Sequence, residues 1–210
     1  GFGLSGVIVS RYGYQPLFLL GAAVLFVGII LGLSLPGAGR QTKSAVKSSF
    51  RQEYGKVRSL LSRGGLQVSF SAIFAQYFAF GGVVTLLPLH AKNMGMEAFH
   101  VGMLLTVFTV TFITLQFPSG ILSDRLGRQK MVYTGLSLGA VSLIVLPLVT
   151  TFIELAIIMG FYGVAFGLLF PSASALIADL SKPEERGTSS GIFHALLTAG
   201  VAIGAPVIGG

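Results

Sequence analysis

The stretch Gly120-Ile-Leu-Ser-Asp124-Arg125-Leu-Gly127-Arg128-Gln-Lys130 decides the fold. It joins two long apolar runs, Val101–Ser123 and Met131–Ile153, neither of which contains a Lys, Arg, Asp or Glu. Four of its eleven residues are charged, in a chain that is only 10% charged overall. A segment this polar between runs this apolar is a loop at a membrane surface, tying one transmembrane helix to the next. Gly120 suits a close approach between helices. Gly127 suits the positive φ that ends a helix or turns the chain.

Outward from that loop the same alternation repeats. Leu66–Leu89, Leu155–Ala178 and Gly187–Gly210 are also free of Lys, Arg, Asp and Glu. So is Tyr12–Gly39, whose core Leu17–Leu35 has 19 residues, enough for ~28 Å of helix. A secretory signal would have a shorter apolar region of about 7–15 residues, and the cations that follow would resist export. The sequence therefore predicts six transmembrane helices and an apolar stub, Gly1–Val9. In lipid each must be helical, because no water satisfies an exposed backbone N–H or C=O. A barrel would need shorter alternating strands.

Lys and Arg set the orientation. Arg40–Arg63 carries seven, the loop around 124–130 three, and the loop 179–186 two, all on one side, against Arg11 and Lys92 on the other. That split makes loops 40–63, 124–130 and 179–186 cytoplasmic. The net charge of +7 is thus membrane topology and not a nucleic-acid footprint. Within Arg40–Arg63, Phe50, Tyr54, Val57 and Leu61 fall at helical spacing with cations alongside, as in a helix lying at the lipid surface; a solvated linker also fits. The mean hydropathy of +0.83 excludes an ordinary soluble domain, and the absence of Cys excludes disulfides, thiolate metal sites and a cysteine nucleophile. The chain starts at Gly1 and ends inside an apolar run, so a fragment of a longer polypeptide is expected.

The spacing G-x-x-x-D-R-x-G-R-x-K, filled by Gly120, Asp124, Arg125, Gly127, Arg128 and Lys130, resembles the signature loop of the major facilitator superfamily of secondary transporters. The resemblance implies an all-α integral membrane protein: six transmembrane helices plus the end of a seventh, part of a twelve-helix transporter built from inverted three-helix repeats. Residues 1–39 would then end the amino-terminal bundle, 40–63 would be the basic loop between bundles, and 64–210 most of the carboxyl-terminal bundle. Gly6–Gln15 echoes Gly120–Gln129 with four of ten positions identical, on the opposite face, as an inverted repeat would leave. Simple Gly-Arg turn chemistry explains it too. The end Gly200-Val-Ala-Ile-Gly204-Ala-Pro206-Val-Ile-Gly209-Gly210 is similar to a Gly-Pro-Gly-Gly pattern of the superfamily, departing from it by Ala205. The feel is closest to the drug-efflux branch.

Function follows from the resemblance: alternating access about a mid-membrane site, with a small-molecule substrate, protons as a candidate coupling ion, and the lipid bilayer as the protein's solvent. The expected location is a bacterial-type cytoplasmic membrane. Asp124 is expected to accept hydrogen bonds from a helix amino terminus of the other bundle, or to pair with Arg128 or Arg186, as a conformational latch. Gln76 and Tyr77 lie mid-span, where a polar group needs a partner, a cavity or water. With Phe80, Tyr162, Phe166 and His194 they form the candidate substrate cavity. A helix–helix hydrogen bond is the plainer role for His194, and core packing the plainer role for the aromatics. In Asp179–Gly187, Ser181 is expected to cap a short helix begun by Pro183. No Asp or Glu lies at mid-depth, which favours a neutral, cationic-amphiphilic or apolar substrate. An uptake system for a sugar or organic acid is the nearest rival, then a membrane scaffold or sensor. A polytopic enzyme would need converging His, Asp or Glu, but the three His are scattered. No cofactor or metal is expected.

Overall fold

The computed structural model describes residues 15–34 and 50–210, and among these every regular element is helical. In chain order they are α1 (Gln15–Ser34), α2 (Phe50–Ser62), α3 (Gly64–Asn93), α4 (Ala98–Leu126), α5 (Arg128–Val145), α6 (Phe152–Leu180) and α7 (Arg186–Gly209). Short 3-10 turns, Leu146–Leu148 and Pro183–Glu185, follow α5 and precede α7. The stub Gly1–Val9, the echo at Gly6–Gln15 and residues 35–49 lie wholly or mostly outside the described residues. The five elements from α3 onward are each long and apolar enough to cross a membrane. The expected first span is α1, whose large side chains Leu19, Leu25, Val24 and Phe26 are all exposed.

The ends of the helices follow local chemistry. Thr151 caps α6: its hydroxyl accepts from the Glu154 N–H at 3.3 Å, while the Glu154 carboxylate accepts from the Thr151 N–H at 3.0 Å. A single residue, Gly127, separates α4 from α5, at φ 99° and ψ 125°. A side chain is badly tolerated at that conformation, which is why glycine stands there. Gly120 departs from expectation: nothing lies within 4 Å of where its Cβ would be. Pro171 lies inside α6, which runs on to Leu180.

Close packing comes from other glycines. A methyl group at Gly200 would lie 2.9 Å from the Phe74 carbonyl oxygen, and one at Gly204 would run into the Phe78 carbonyl, so α3 and α7 touch backbone to backbone. On the other side, a methyl at Gly163 would lie 2.9 Å from Thr111 Cβ, and one at Gly167 2.8 Å from Leu115 Cβ, which presses α6 against α4. These contacts repeat under a shift of 89 residues: Phe74 and Thr111 map onto Gly163 and Gly200, Phe78 and Leu115 onto Gly167 and Gly204. The pairs α3–α7 and α6–α4 are therefore one motif used twice. Since each span reverses direction relative to the one before it, and 89 residues hold three of them, the second copy is inverted in the bilayer. α5 lies along α6 through Gly135, where a methyl would sit 2.8 Å from the Ala165 carbonyl oxygen.

Candidate functional site

At the basic end of the bundle, Arg128 opens α5 and holds two carboxylates at once. Its Nη2 lies 3.0 Å from Asp124 Oδ1, at the end of α4, and its Nε lies 2.9 Å from Asp179 Oδ2, near the end of α6. A planar guanidinium can do this because its donors point in different directions. Three helix ends are tied through one side chain. The pair that forms is Asp124–Arg128; Arg186 is not used. Arg128 is 26% exposed at its side chain, Asp124 63% and Asp179 53%, so each pair contributes only ~0.2–1 kcal/mol. Arg125 and Lys130 flank the clamp at the same surface. Together with Gly127 and Gln129 the clamp residues border a shallow basin of about 480 Å³.

A second tie crosses from the α2–α3 junction to the loop before α7. Arg63 Nη1 and Nη2 reach the two Glu185 carboxylate oxygens at 2.7 and 2.8 Å, the two-pronged geometry that makes Arg–carboxylate pairs directional. The hydrogen bond to Glu185 raises the Arg63 pKa further above its ordinary value. Ser181 does not cap the 3-10 turn; its hydroxyl donates to Ser189 Oγ at 2.8 Å, which in turn donates to the Glu185 carbonyl at 3.0 Å. The loop 179–186 is thus pinned from three directions, because Ser181 is buried and a buried hydroxyl needs a partner.

Deeper in the bundle, four of the six candidate cavity residues come together in ring contacts. Tyr77 stands edge-on to Phe166 with ring centroids 5.3 Å apart, Phe80 lies 5.4 Å from Phe166, and Tyr162 lies 5.2 Å from Phe166. Phe108 of α4, which the sequence reading did not select, stacks on Phe80 at 5.2 Å and stands edge-on to Phe166 at 5.1 Å. Phe112 lies 5.8 Å from Phe166. Such offset and edge-to-face pairs add ~0.5–1.5 kcal/mol each to the burial itself. The cluster has two layers. Tyr162 and Phe166 are fully buried, at 0% and 2% exposure, and Tyr77 and Phe80 are partly exposed in front of them. Gln76 is 4% exposed, with its amide against Gly139. Among the described residues neither its Nε2 nor the Tyr162 hydroxyl has a hydrogen-bond partner. His194 stands apart: it is exposed, and borders a separate recess of about 190 Å³ between α6 and α7 with Arg186, Ser190 and Ser174. Its ring packs against Phe193 at 5.4 Å.

Among the described residues no group of three or more His, Cys, Asp or Glu side chains is placed to hold a metal ion. The spacing of Phe108 and Phe112, one helical turn apart, was a usable signal for the aromatic cluster. Asp179 was visible as an acid closing a span, but nothing local distinguishes a carboxylate that caps a turn from one that reaches another helix.

Apolar helices crossing a bilayer, an inverted repeat and charged clamps confined to one end define a multi-pass membrane protein of the transporter type. Residues 69–210 match the model of the Major Facilitator Superfamily, and the chain belongs to that family. It is 28% identical over 138 residues to the quinolone resistance protein NorA of Staphylococcus aureus, a match covering 66% of this chain and 35% of that protein. It is 27% identical over 137 residues to the uncharacterized MFS-type transporter MJ1560 of Methanocaldococcus jannaschii, covering 65% and 35%. The chain thus spans about a third of the length of these curated relatives.

Proposed function

We propose that this chain is the carboxyl-terminal part of a secondary transporter that exports drug-like or amphiphilic small molecules by alternating access, driven by protons. On this reading residues 1–39 close the amino-terminal bundle, 40–63 link the bundles in the cytoplasm, and 64–210 form most of the second bundle. The membrane is the cytoplasmic membrane of a bacterial-type cell. The observation that carries the proposal is the two-layered aromatic cluster beside an unpartnered amide and hydroxyl, all on helices that cross the bilayer. Tyr77 and Phe80 offer ring faces to a planar or cationic guest. Gln76 and Tyr162 are buried behind that surface, and a helix movement that opened it would expose two groups for a guest or a water to hydrogen-bond, which offsets the desolvation of polar groups held in lipid. Such a surface discriminates weakly between amphiphiles, because rings and one or two polar groups set few geometric demands. The likeness to a quinolone resistance protein supports export over uptake.

The Arg128 clamp serves as the latch. Two exposed pairs together bias the closed state by roughly one power of ten, weak enough to break on each cycle. The test is flux in liposomes carrying the full-length protein with a proton gradient imposed. Asp124→Asn and Asp179→Asn should insert at normal levels and slow export of an amphiphilic dye by about threefold to tenfold. Normal flux in both rejects the latch. Accumulation of the dye in the direction of uptake rejects the exporter, and flux unaffected by the gradient rejects proton coupling.

A further inference from the structure

α2 carries a second recognition surface that the transport reading leaves unused. Tyr54, Arg58 and Leu61 follow one another at i, i+4 and i+7, so they form a stripe along one face. All three are exposed, Tyr54 at 65% and Leu61 at 41%. The helix is nonetheless anchored, because Leu60 is fully buried in the same cluster as Leu66, Phe70 and Ile73. Leu61 also forms the upper wall of a groove of about 400 Å³, whose other walls are Gln67, Phe70, Ser71, Phe74 and Leu196. From Gln67 to Phe74 the groove descends ~10 Å along α3. Its walls are apolar except for the Gln67 and Ser71 side chains, and the Ser71 hydroxyl is already bonded to the Gln67 carbonyl at 2.6 Å. The Arg58 guanidinium, one turn from Leu61, has no ion-pair partner among the described residues.

We propose that this stripe and groove bind an anionic phospholipid of the cytoplasmic leaflet. The acyl chain lies in the groove below Leu61, the phosphate is held by Arg58, and Tyr54 sits at the headgroup level, where amphipathic rings collect. The occupant is a lipid and not the transported molecule because of where the groove lies. On α3 the groove is lined by Gln67, Phe70, Ser71 and Phe74, and none of the aromatic cluster residues Tyr77, Phe80, Tyr162 and Phe166 borders it. The groove and the cluster therefore share no side chain. A single cation above an apolar furrow suits an amphiphile with one negative head and a long tail, and the excess of Lys and Arg at this face attracts such lipids in the first place. The proposal rests on the cation count that puts this face in the cytoplasm, and does not require that the protein export anything.

The full-length protein in nanodiscs, with photoactivatable phosphatidylglycerol or phosphatidylcholine bearing the reactive group on the acyl chain, tests it. Phosphatidylglycerol should label the segment between Leu61 and Phe74 about fivefold more than phosphatidylcholine, the ratio one cation near the surface can give. Arg58→Gln should bring the ratio close to one, and Arg58→Lys should retain much of it. Leu196→Trp, which fills the groove, should remove labelling by both lipids there while leaving labelling of α4 unchanged. Equal labelling by the two lipids in the unmodified protein overturns the proposal. So does a preference that survives Arg58→Gln, or a groove that no lipid labels because another helix covers it.

Discussion

Two residues at the signature loop act by different physics, and their substitutions should separate. Gly127 contributes only its backbone, held at φ 99° between two helices with a gap of one residue. An alanine there has open space for its methyl, so any loss comes from backbone strain of ~1–3 kcal/mol. Gly127→Ala should lower the thermal midpoint of the purified full-length protein, whereas Gly95→Ala, at φ 77° in a surface loop, should cost less because its φ lies closer to the range that non-glycine residues adopt. A midpoint unchanged by Gly127→Ala would mean that the loop relaxes freely. Arg128 contributes a fork. Lysine keeps the charge but donates from a single nitrogen, so it lacks the two separated nitrogens that meet Asp124 and Asp179. Arg128→Lys should therefore leave the thermal midpoint almost unchanged and slow transport about as much as Asp179→Asn, measured as initial flux in liposomes. Wild-type flux would show that point charge alone suffices.

Helix contacts were less legible than helix positions. The apolar runs marked α3, α4, α6 and α7 within four residues, because a bilayer leaves the backbone one solution, but Met131–Ile153 overran α5, which ends at Val145 and gives way to the turn Leu146–Leu148. The glycines were visible as well, but not their partners. Gly163 and Gly167 press α6 against α4, and Gly160 beside them does not: its nearest neighbour is Val107 at 3.8 Å. Gly200 and Gly204 look like a variant of a sequence pattern, yet their work is to let α7 touch Phe74 and Phe78 of α3. Spacing gives the face of a helix; it does not say which other face comes to meet it. The contact makes a sharp comparison. A methyl at Gly204 collides with the Phe78 backbone, which cannot move aside, while a methyl at Gly191 meets nothing within 4 Å. Gly204→Ala should destabilise the protein by about 1–3 kcal/mol through overpacking, and Gly191→Ala should be neutral or stabilising by up to ~1 kcal/mol through helix propensity. Thermal unfolding in one detergent measures both. Equal midpoints would mean that α3 and α7 can part without loss.

At the scale of the molecule, chemistry is divided by depth, and the division explains what the sequence concealed. Charges lie at the ends, where the clamps Arg128–Asp124–Asp179 and Arg63–Glu185 close loops against each other. Aromatics lie between, where Phe108 and Phe112 of α4 join a cluster otherwise drawn from α3 and α6. Gln76 was conspicuous because an amide is rare at that depth, and Phe108 was not, because a phenylalanine in lipid is commonplace. His194 was equally conspicuous, and it lies elsewhere: one ionisable ring in a span marks a depth and not a direction. The division also fixes the topology test. Residues 1–210 contain no Cys, so within them each single-cysteine variant carries one reactive site. Lys56→Cys, Gln129→Cys and Lys182→Cys should all react with a membrane-impermeant thiol reagent from one side of oriented vesicles. Asn93→Cys and Thr150→Cys should react only from the other. The 89-residue repeat demands this result, since α3 and α6 must run in opposite directions if Phe74–Gly200 and Thr111–Gly163 are the same contact inverted. Labelling of Lys56→Cys and Gln129→Cys from opposite sides would break the inversion, and with it the clamp, the cavity depth and the leaflet assigned to α2.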